Sequence, residues 1–273
     1  MNLFLACQIF GLIDALDLPG EKEIIYVAMT NHHGDHCFGA GAYAKNATFV
    51  LNEATYTYLP TPATLQREIF LLENLLGFTE NYGIRTAAQA ATYDPAIFPD
   101  ATNVESYLDI GDNRTLTLLS FGFLQTDGDM LIYDEVSRSL WTGNILLGPN
   151  ALPFLLDGGA IDAIPSYMRF RDWLIAKGEP LTIVAGHGLP FFDLTAAIDL
   201  VEPIIAYLLN LVDLVTKAID QNLSLQETCQ FANLTNVINN DPRFALVPEV
   251  VHWTNLVPTY FQLGGNDTQP FCF

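Results

Sequence analysis

Three of the chain's five histidines lie in one turn, directly after a stretch that predicts a strand. The run KEIIYVAMT, residues 22–30, is rich in apolar and β-branched residues, as strands are. It leads into NHHGDH, residues 31–36, and then into the small residues of FGAGAYA, which are compatible with a helix. A strand-to-helix turn brings several side chains to one end of a sheet, and His with Asp is typical of zinc, iron or manganese ligation. The turn therefore indicates a metal site.

A second histidine ends another predicted strand late in the chain. In LTIVAGHG, residues 181–188, His187 stands between two glycines, which allow a close approach of the backbone. This weakens the alternative interpretation, in which NHHGDH is a polar turn without ligands. The fifth histidine, His252 in VVHWTNL, fits a packed or surface position on a helix better than a ligand position.

The other predicted elements follow one another in a mixed order. Strands are predicted at 47–52, on both sides of a turn at Asp112-Asn113, and in a hairpin through Glu135–Ser139. Helices are predicted at 65–76, 161–178, 196–222 and 224–233. Residues 78–104, rich in Thr, Ala, Pro and Asn, predict a long loop or lid. The pattern predicts one α/β layered domain over residues 1–273, to which the helical segment 195–263 belongs.

The charge of the chain excludes some classes of partner. It has 31 acidic and 11 basic residues, a net charge of −20, which repels nucleic-acid phosphates and anionic membrane surfaces. No apolar run reaches the ~18 residues of a spanning helix. The N-terminal run MNLFLACQIFGLIDALDL lacks a basic start and is interrupted by Asp14 and Asp17, so it predicts a buried strand rather than a signal peptide, which slightly favours a cytoplasmic location.

Cysteines and sequons add little to this assignment at the level of sequence. The four cysteines, Cys7, Cys37, Cys229 and Cys272, are widely spaced without a C-x-x-C pair, so neither a disulfide framework nor a zinc ribbon is indicated. Five N-x-[ST] sequons give only weak support for secretion, because the chain is rich in Asn and Thr.

Thr30 to His36, T-N-H-H-G-D-H, resembles the T-H-x-H-x-D-H motif of the metallo-β-lactamase-fold hydrolases. Other family motifs are matched in the same order: Asp14 in LIDA, then QTDGDMLIYDEVSRSLWTGN for H-T-x-G to T-G-D, then VAGHG for the last histidine. The resemblance covers nearly the whole chain and implies a four-layer αββα sandwich. Because Asp14 stands almost at the start, the first sheet is expected to lack two or three strands, through a truncated gene model or through loss.

The resemblance implies a metal site of which only half is kept. In the family's first metal site, Asn31 and Gln125 replace two histidines and only His33 remains. At the bridging position of T-G-D the family's aspartate is replaced by Asn144, a neutral amide that binds metal weakly. The ligands of the second site, Asp35, His36 and His187, are all present. His32 falls on the motif's spacer position. The three amides are therefore expected to be degenerate ligand positions.

Two functions fit this pattern. The first is a hydrolase of a small-molecule ester, thioester, lactone or β-lactam-like bond, with one zinc ion on Asp35, His36 and His187 rather than two ions. His33 would position water, act as a general base or contribute to the metal site, and Asp35 would belong to the catalytic centre as well. The second is a catalytically degenerate member kept as a binding or scaffold module. An uncovered sheet edge would favour a homodimer.

Overall fold

The computed structural model describes ten stretches of the chain, and these fall into two compact units. The described residues are 26–33, 36, 47–58, 96–98, 104–148, 151–155, 157–178, 181–187, 194–268 and 271–272. The units comprise residues 1–100 and 101–273. The N-terminal run and the predicted helix at 65–76 lie outside the described residues. No helix within the described residues is both long enough and apolar enough to cross a membrane.

The first unit contains a parallel three-stranded sheet in the order β1-β2-β3. Its elements are β1 (Tyr26–Ala28), β2 (Thr48–Asn52), α1 (Glu53–Tyr58) and β3 (Ala96–Phe98). The central strand, β2, is the strand predicted at 47–52, and its Phe49 and Val50 are fully buried. The prediction of a loop over 78–104 is wrong at 96–98, because β3 is held by pairing with a strand far away in sequence. Three residues in a sequence rich in Pro and Ala give no local signal for such pairing.

The second unit contains a five-stranded mixed sheet in the order β4-β5-β6-β7-β8. Its strands are β4 (Val104–Asp109), β5 (Thr115–Ser120), β6 (Leu131–Asp134), β7 (Ser139–Gly143) and β8 (Thr182–Ala185). Strands β4 to β7 pair antiparallel, and β8 lies parallel to β7. The predicted turns are confirmed: Asp112 and Asn113 join β4 to β5 with φ of 52° and 58°, as asparagine and aspartate tolerate in tight hairpins.

The helices of the second unit follow and flank these strands in sequence. They are α2 (Ala160–Lys177), α3 (Leu194–Asp220), α4 (Leu225–Phe231), α5 (Leu234–Val237) and α6 (Glu249–Gln262). The predicted cap of α4 is confirmed: Ser224 and Glu227 form a reciprocal capping box. The core joins helices to sheet, for example where the Phe121 and Phe170 rings lie 5.5 Å apart.

One face of α6 hydrogen-bonds to the segment between β7 and α2. We call Asn255, Thr259 and Gln262 the α6 polar stripe. The Asn255 side chain accepts from Leu155 N and donates to the Pro153 carbonyl, both at 2.8 Å. Thr259 and Gln262 accept from the first two N–H groups of α2, at 3.0 and 3.2 Å. They replace the cap that Gly159, without a side chain, cannot provide.

His252 lies fully buried on the same helix, as a packed histidine. Its Nε2 lies 2.7 Å from the Ala232 carbonyl, which can only accept, so Nε2 carries the ring proton. Nδ1 is then free to accept from the Tyr207 hydroxyl at 3.0 Å, and that hydroxyl accepts from Asn255 at 3.1 Å. The neutral tautomer satisfies the whole network, whereas a charged ring would lose the acceptor that Tyr207 uses.

Acid should destabilise the protein through His252. Burial lowers the pKa of His252 from its ordinary value near 6.5, although the Ala232 carbonyl and Glu249 partly oppose this. The folded state therefore binds fewer protons than the unfolded state below pH 6.5. The stabilisation is complete above pH 6.5 and is lost as the pH falls towards the lowered pKa. The Tm of the wild type should fall more steeply from pH 7.5 to 5.5 than that of His252→Gln; parallel curves would contradict this.

A disulfide joins Cys229 of α4 to Cys272 near the end of the chain, contrary to the expectation drawn from cysteine spacing. Spacing along the chain could not predict this bond, because the fold brings two residues at a sequence separation of 43 to a Cα–Cα distance of 5.7 Å, within the range that a disulfide requires. The tail also contacts α4 through Asp267, which accepts from Leu225 N at 2.9 Å. Closing a loop of this length stabilises a fold by about 4 kcal/mol in the chain-entropy relation.

Candidate functional site

In the first unit, the histidine turn continues directly from β1. Met29 N donates to the Val50 carbonyl at 2.9 Å, so sheet pairing extends to the start of the turn. Asn31 and His33 are almost fully buried, and Asn31 Oδ1 accepts from His33 N at 3.2 Å. The amide at the predicted degenerate position therefore shapes the turn by bonding to the backbone two residues on, as asparagine commonly does.

His36 has one ring nitrogen oriented by a neighbour. Its Nδ1 lies 3.3 Å from Thr30 Oγ1, and its backbone N donates to the His33 carbonyl at 3.0 Å. When Thr30 accepts from Nδ1, the lone pair of the ring is on Nε2, the tautomer that a metal ligand needs. Of the predicted ligands in this turn, Asp35 lies outside the described residues.

His32, which falls on the spacer position of the motif, is buried against neighbouring aromatic rings. It is 3% exposed, and its ring centroid lies 5.3 Å from that of His33 and 5.2 Å from that of Tyr58 in α1. The motif comparison gave no role to this position. His32 thus contacts the helix that follows β2, and a ring nitrogen of His32 lies within 4.8 Å of one of His33, so the pair also offers two possible metal ligands.

In the second unit, three predicted site positions lie at the same edge of the sheet. Asn144 directly follows β7 and His187 follows β8, and these two strands run parallel. Gln125 lies in the connection from β5 to β6, and β6 begins where its antiparallel neighbour β7 ends. The topology thus brings Gln125, Asn144 and His187 to one edge, although they are separated by up to 62 residues in sequence.

The ends of β7 and β8 are joined by a close backbone contact between two glycines. Gly186 N donates to the Gly143 carbonyl at 2.7 Å. A Cβ on Gly186 would lie 2.4 Å from that carbonyl oxygen and 2.5 Å from its carbon, which is closer than real contacts allow. This contact holds together the two backbone segments that carry Asn144 and His187. It explains why residue 186 is a glycine, because a side chain there would clash with the Gly143 carbonyl.

Gly186→Ala should therefore distort this edge. We expect a loss of about 1–3 kcal/mol of stability, because the added methyl meets backbone atoms that cannot rotate away. Thermal unfolding measures the loss. Gly158→Ala is the control, since its φ is not positive and its Cβ would meet only the end of the Phe123 side chain, which can move. A Tm for Gly186→Ala equal to the wild type would contradict the close contact.

Asn144 presents an unsatisfied polar atom at this edge. The residue is 5% exposed, and its buried Oδ1 has no hydrogen-bond partner among the described residues. Leaving such an acceptor unpaired costs about 1–3 kcal/mol. A ligand that donates a hydrogen bond, or a cation, would remove this cost. His187, by contrast, is exposed at the end of its strand.

Gln125 is held in place by a carboxylate that the motif comparison missed. Asp129 is 1% exposed, and its Oδ2 accepts from the backbone N of Gln125 and Thr126 at 2.6 and 2.7 Å. Leu124 N also approaches that oxygen at 3.3 Å, and Thr126 Oγ1 donates to Oδ1 at 3.2 Å. The available signal was the second aspartate of T-D-G-D, whose short spacing allows it to bind the backbone of its own turn.

Known proteins resemble the chain in structure and not in sequence. No protein-family model and no curated protein matches it. The sec-alkylsulfatase Pisa1 from Pseudomonas sp. is similar with a TM-score of 0.65 and 13% identity over 98% of this chain and 45% of that one. The BLEG-1 B3 metallo-β-lactamase has a TM-score of 0.51 and 18% identity over 71% and 81% of the two chains.

A β-lactamase domain protein from Burkholderia ambifaria is similar as well, with a TM-score of 0.51 and 14% identity over 90% of this chain and 72% of that one. The chain spans less than half the length of the alkylsulfatase. All three TM-scores are above 0.5, and the names of the two lactamase proteins point to the fold that the sequence motifs predicted. The protein thus has the metallo-β-lactamase fold.

Proposed function

We propose that the protein is a metal-dependent hydrolase with a single zinc ion held by Asp35, His36 and His187. The observation that carries the proposal lies at one edge of the second sheet, where His187 follows β8 and Asn144 follows the neighbouring strand β7, and where Asn144 Oδ1 is buried without a hydrogen-bond partner among the described residues. The orientation of His36 by Thr30 also suits a ligand. Two histidines and one carboxylate are a common donor set for catalytic zinc.

In such a site, bound zinc would lower the pKa of a water molecule so that hydroxide is available near neutral pH. The chain's own groups would have separate roles. His33, next to the ligands in sequence, would accept a proton as a general base. Asn144 Oδ1 would accept a hydrogen bond from the substrate or from water, and Asn31 and Gln125 would shape the site through the turns that hold them.

The substrate would be a small molecule with a hydrolysable ester, thioester, lactone or β-lactam-like bond. The similar alkylsulfatase adds sulfate esters to the classes worth testing. The net charge of −20 makes nucleic acid the poorest candidate.

A second candidate function is a binding module without catalysis. The observation that favours it is that all three amides at degenerate positions are buried: Asn31 and Gln125 at 1% and Asn144 at 5% exposure. Amides keep the size and polarity of the replaced ligands without their metal affinity. Such a site would hold a neutral polar ligand through hydrogen bonds.

Zinc content and hydrolysis decide between the two. The purified protein should contain about one zinc ion per chain by mass spectrometry, and it should hydrolyse at least one member of a panel of aryl esters, thioesters, lactones, β-lactams and alkyl sulfates. A chelator should remove both properties, and added zinc should restore them. No zinc after incubation with excess metal would refute the hydrolase and leave the binding module.

A matched variant tests whether the amides limit the site to one ion. The combined change Asn31→His, Gln125→His and Asn144→Asp restores the family's residues at all three positions. It should raise the zinc content from one ion to two. A content of one in both proteins would show that the amides are not what limits the number of ions.

A further inference from the structure

We propose that Asn113, Asn222 and Asn266 carry N-linked glycans and that the chain folds in an oxidising compartment. This reverses the cytoplasmic location that the N-terminal sequence favours. Two independent features carry the proposal, namely a disulfide and the accessibility of three sequons in the second unit. Neither involves the residues of the candidate metal site.

The disulfide is the first feature. Cys229 is 5% exposed, and the tail that carries Cys272 is also held to α4 by the hydrogen bond from Leu225 N to Asp267. The two sulfurs are therefore brought together by contacts that do not depend on the bond itself. Bonds of this kind form and persist in secretory and extracellular environments, whereas cytosolic thiols are kept reduced.

The sequons are the second feature. Asn113 lies in the exposed turn between β4 and β5, Asn222 in the turn after α3, and Asn266 in the tail next to the disulfide. All three are exposed, and Asn113 and Asn222 have positive φ, as residues at turns do. Within the part of the chain that the structure describes, none of the three side-chain amides takes part in a hydrogen bond. A glycan is bulky and hydrophilic, so these are positions that can carry one without loss of contacts.

Asn233 provides the internal contrast. It also lies in a sequon, but it is half-buried and caps α5: its Oδ1 accepts from Asn236 N at 3.0 Å. Its Nδ2 donates to the Gln230 carbonyl at 2.9 Å. A sugar on Nδ2 would crowd that carbonyl and disturb the cap. Of the four sequons in the second unit, three therefore have exposed asparagines, and one has an asparagine whose side chain is used in hydrogen bonds.

The test uses the protein isolated from the organism that makes it. Its intact mass should exceed the 30.2 kDa of the bare chain, and peptide N-glycosidase F should remove the excess. Digestion in ¹⁸O-water should mark Asn113, Asn222 and Asn266 as labelled aspartates and leave Asn233 unlabelled. Under denaturing conditions, an alkylating reagent should modify Cys229 and Cys272 only after reduction.

Each arm has a result that overturns its part of the proposal. A bare-chain mass, or label on Asn233 in place of the three open sites, overturns the glycan assignment. Alkylation of Cys229 and Cys272 without reduction overturns the oxidising compartment. Conversion of the three asparagines to glutamine one at a time, with expression in a secretory host, checks the assignment independently. Each change should remove one glycan mass, and Asn233→Gln should remove none.

Discussion

His187→Ala should remove both bound zinc and hydrolytic activity while leaving the fold almost unchanged. In the proposed site, loss of one of the three protein ligands would leave too few donors for a stable catalytic zinc. The activity should fall on the order of 10³-fold, because several kcal/mol of transition-state stabilisation depend on the metal. Because bound zinc would itself stabilise the folded state, the Tm is compared on zinc-free proteins, where truncation of the exposed His187 side chain should lower the Tm less than His252→Gln does.

Zinc per chain, hydrolysis rate and Tm together measure this prediction. The matched control is His252→Gln, which removes a buried histidine on α6. It should lower the Tm and keep the zinc. If His187→Ala retained a full zinc ion, the ligand assignment would be wrong. If the zinc-free His187→Ala protein had a much lower Tm than the zinc-free wild type, the role of His187 would be structural rather than catalytic.

Asn255→Leu should be among the most destabilising single substitutions in the second unit. The leucine is branched at the same carbon but removes the acceptor of Leu155 N and the donors to Pro153 and Tyr207. These groups are buried, and unmade hydrogen bonds of this kind cost about 1–3 kcal/mol each. With partial relaxation we expect a total loss of about 3 kcal/mol, or roughly 6–12 °C in Tm for a protein of this size.

Hydrogen exchange at the Leu155 amide localises the effect. Its protection should fall together with that of Ala160, since the α6 polar stripe holds both sides of the segment between β7 and α2. Thr254→Val on the same helix is the control, because that hydroxyl bonds only to the Val251 carbonyl of its own helix. Equal losses in the two variants would show that the stripe has no special role.

Local patterns predicted the elements whose contacts are local. The hairpin of β4 and β5, the hairpin of β6 and β7, and the cap of α4 all follow from turn and capping residues within a few positions. The prediction of a loop at 78–104 was wrong at β3, because its parallel partner β2 is distant in sequence and gives no local signal. The disulfide was not predicted for the same reason, since the spacing of cysteines cannot show that the tail folds back onto α4.

The candidate site shows the same division. Motif order alone identified Gln125, Asn144 and His187 as related positions, and the sheet topology places them at one edge. Motif order could not show that Asn144 Oδ1 is buried without a hydrogen-bond partner among the described residues, or that Asp129 holds the turn of Gln125. Burial and hydrogen bonding depend on every neighbour in space, and a motif records only spacing along the chain.

The sequence by itself determined the fold type, the residues proposed as ligands and the sign of the charge. Each of these depends on residue identity and order, which the chain states directly. Only the tertiary structure decided which polar atoms are satisfied, which cysteines meet and which sequons remain open. These properties depend on segments up to about a hundred residues apart, such as α6 and the segment after β7, and only folding brings them within hydrogen-bonding distance.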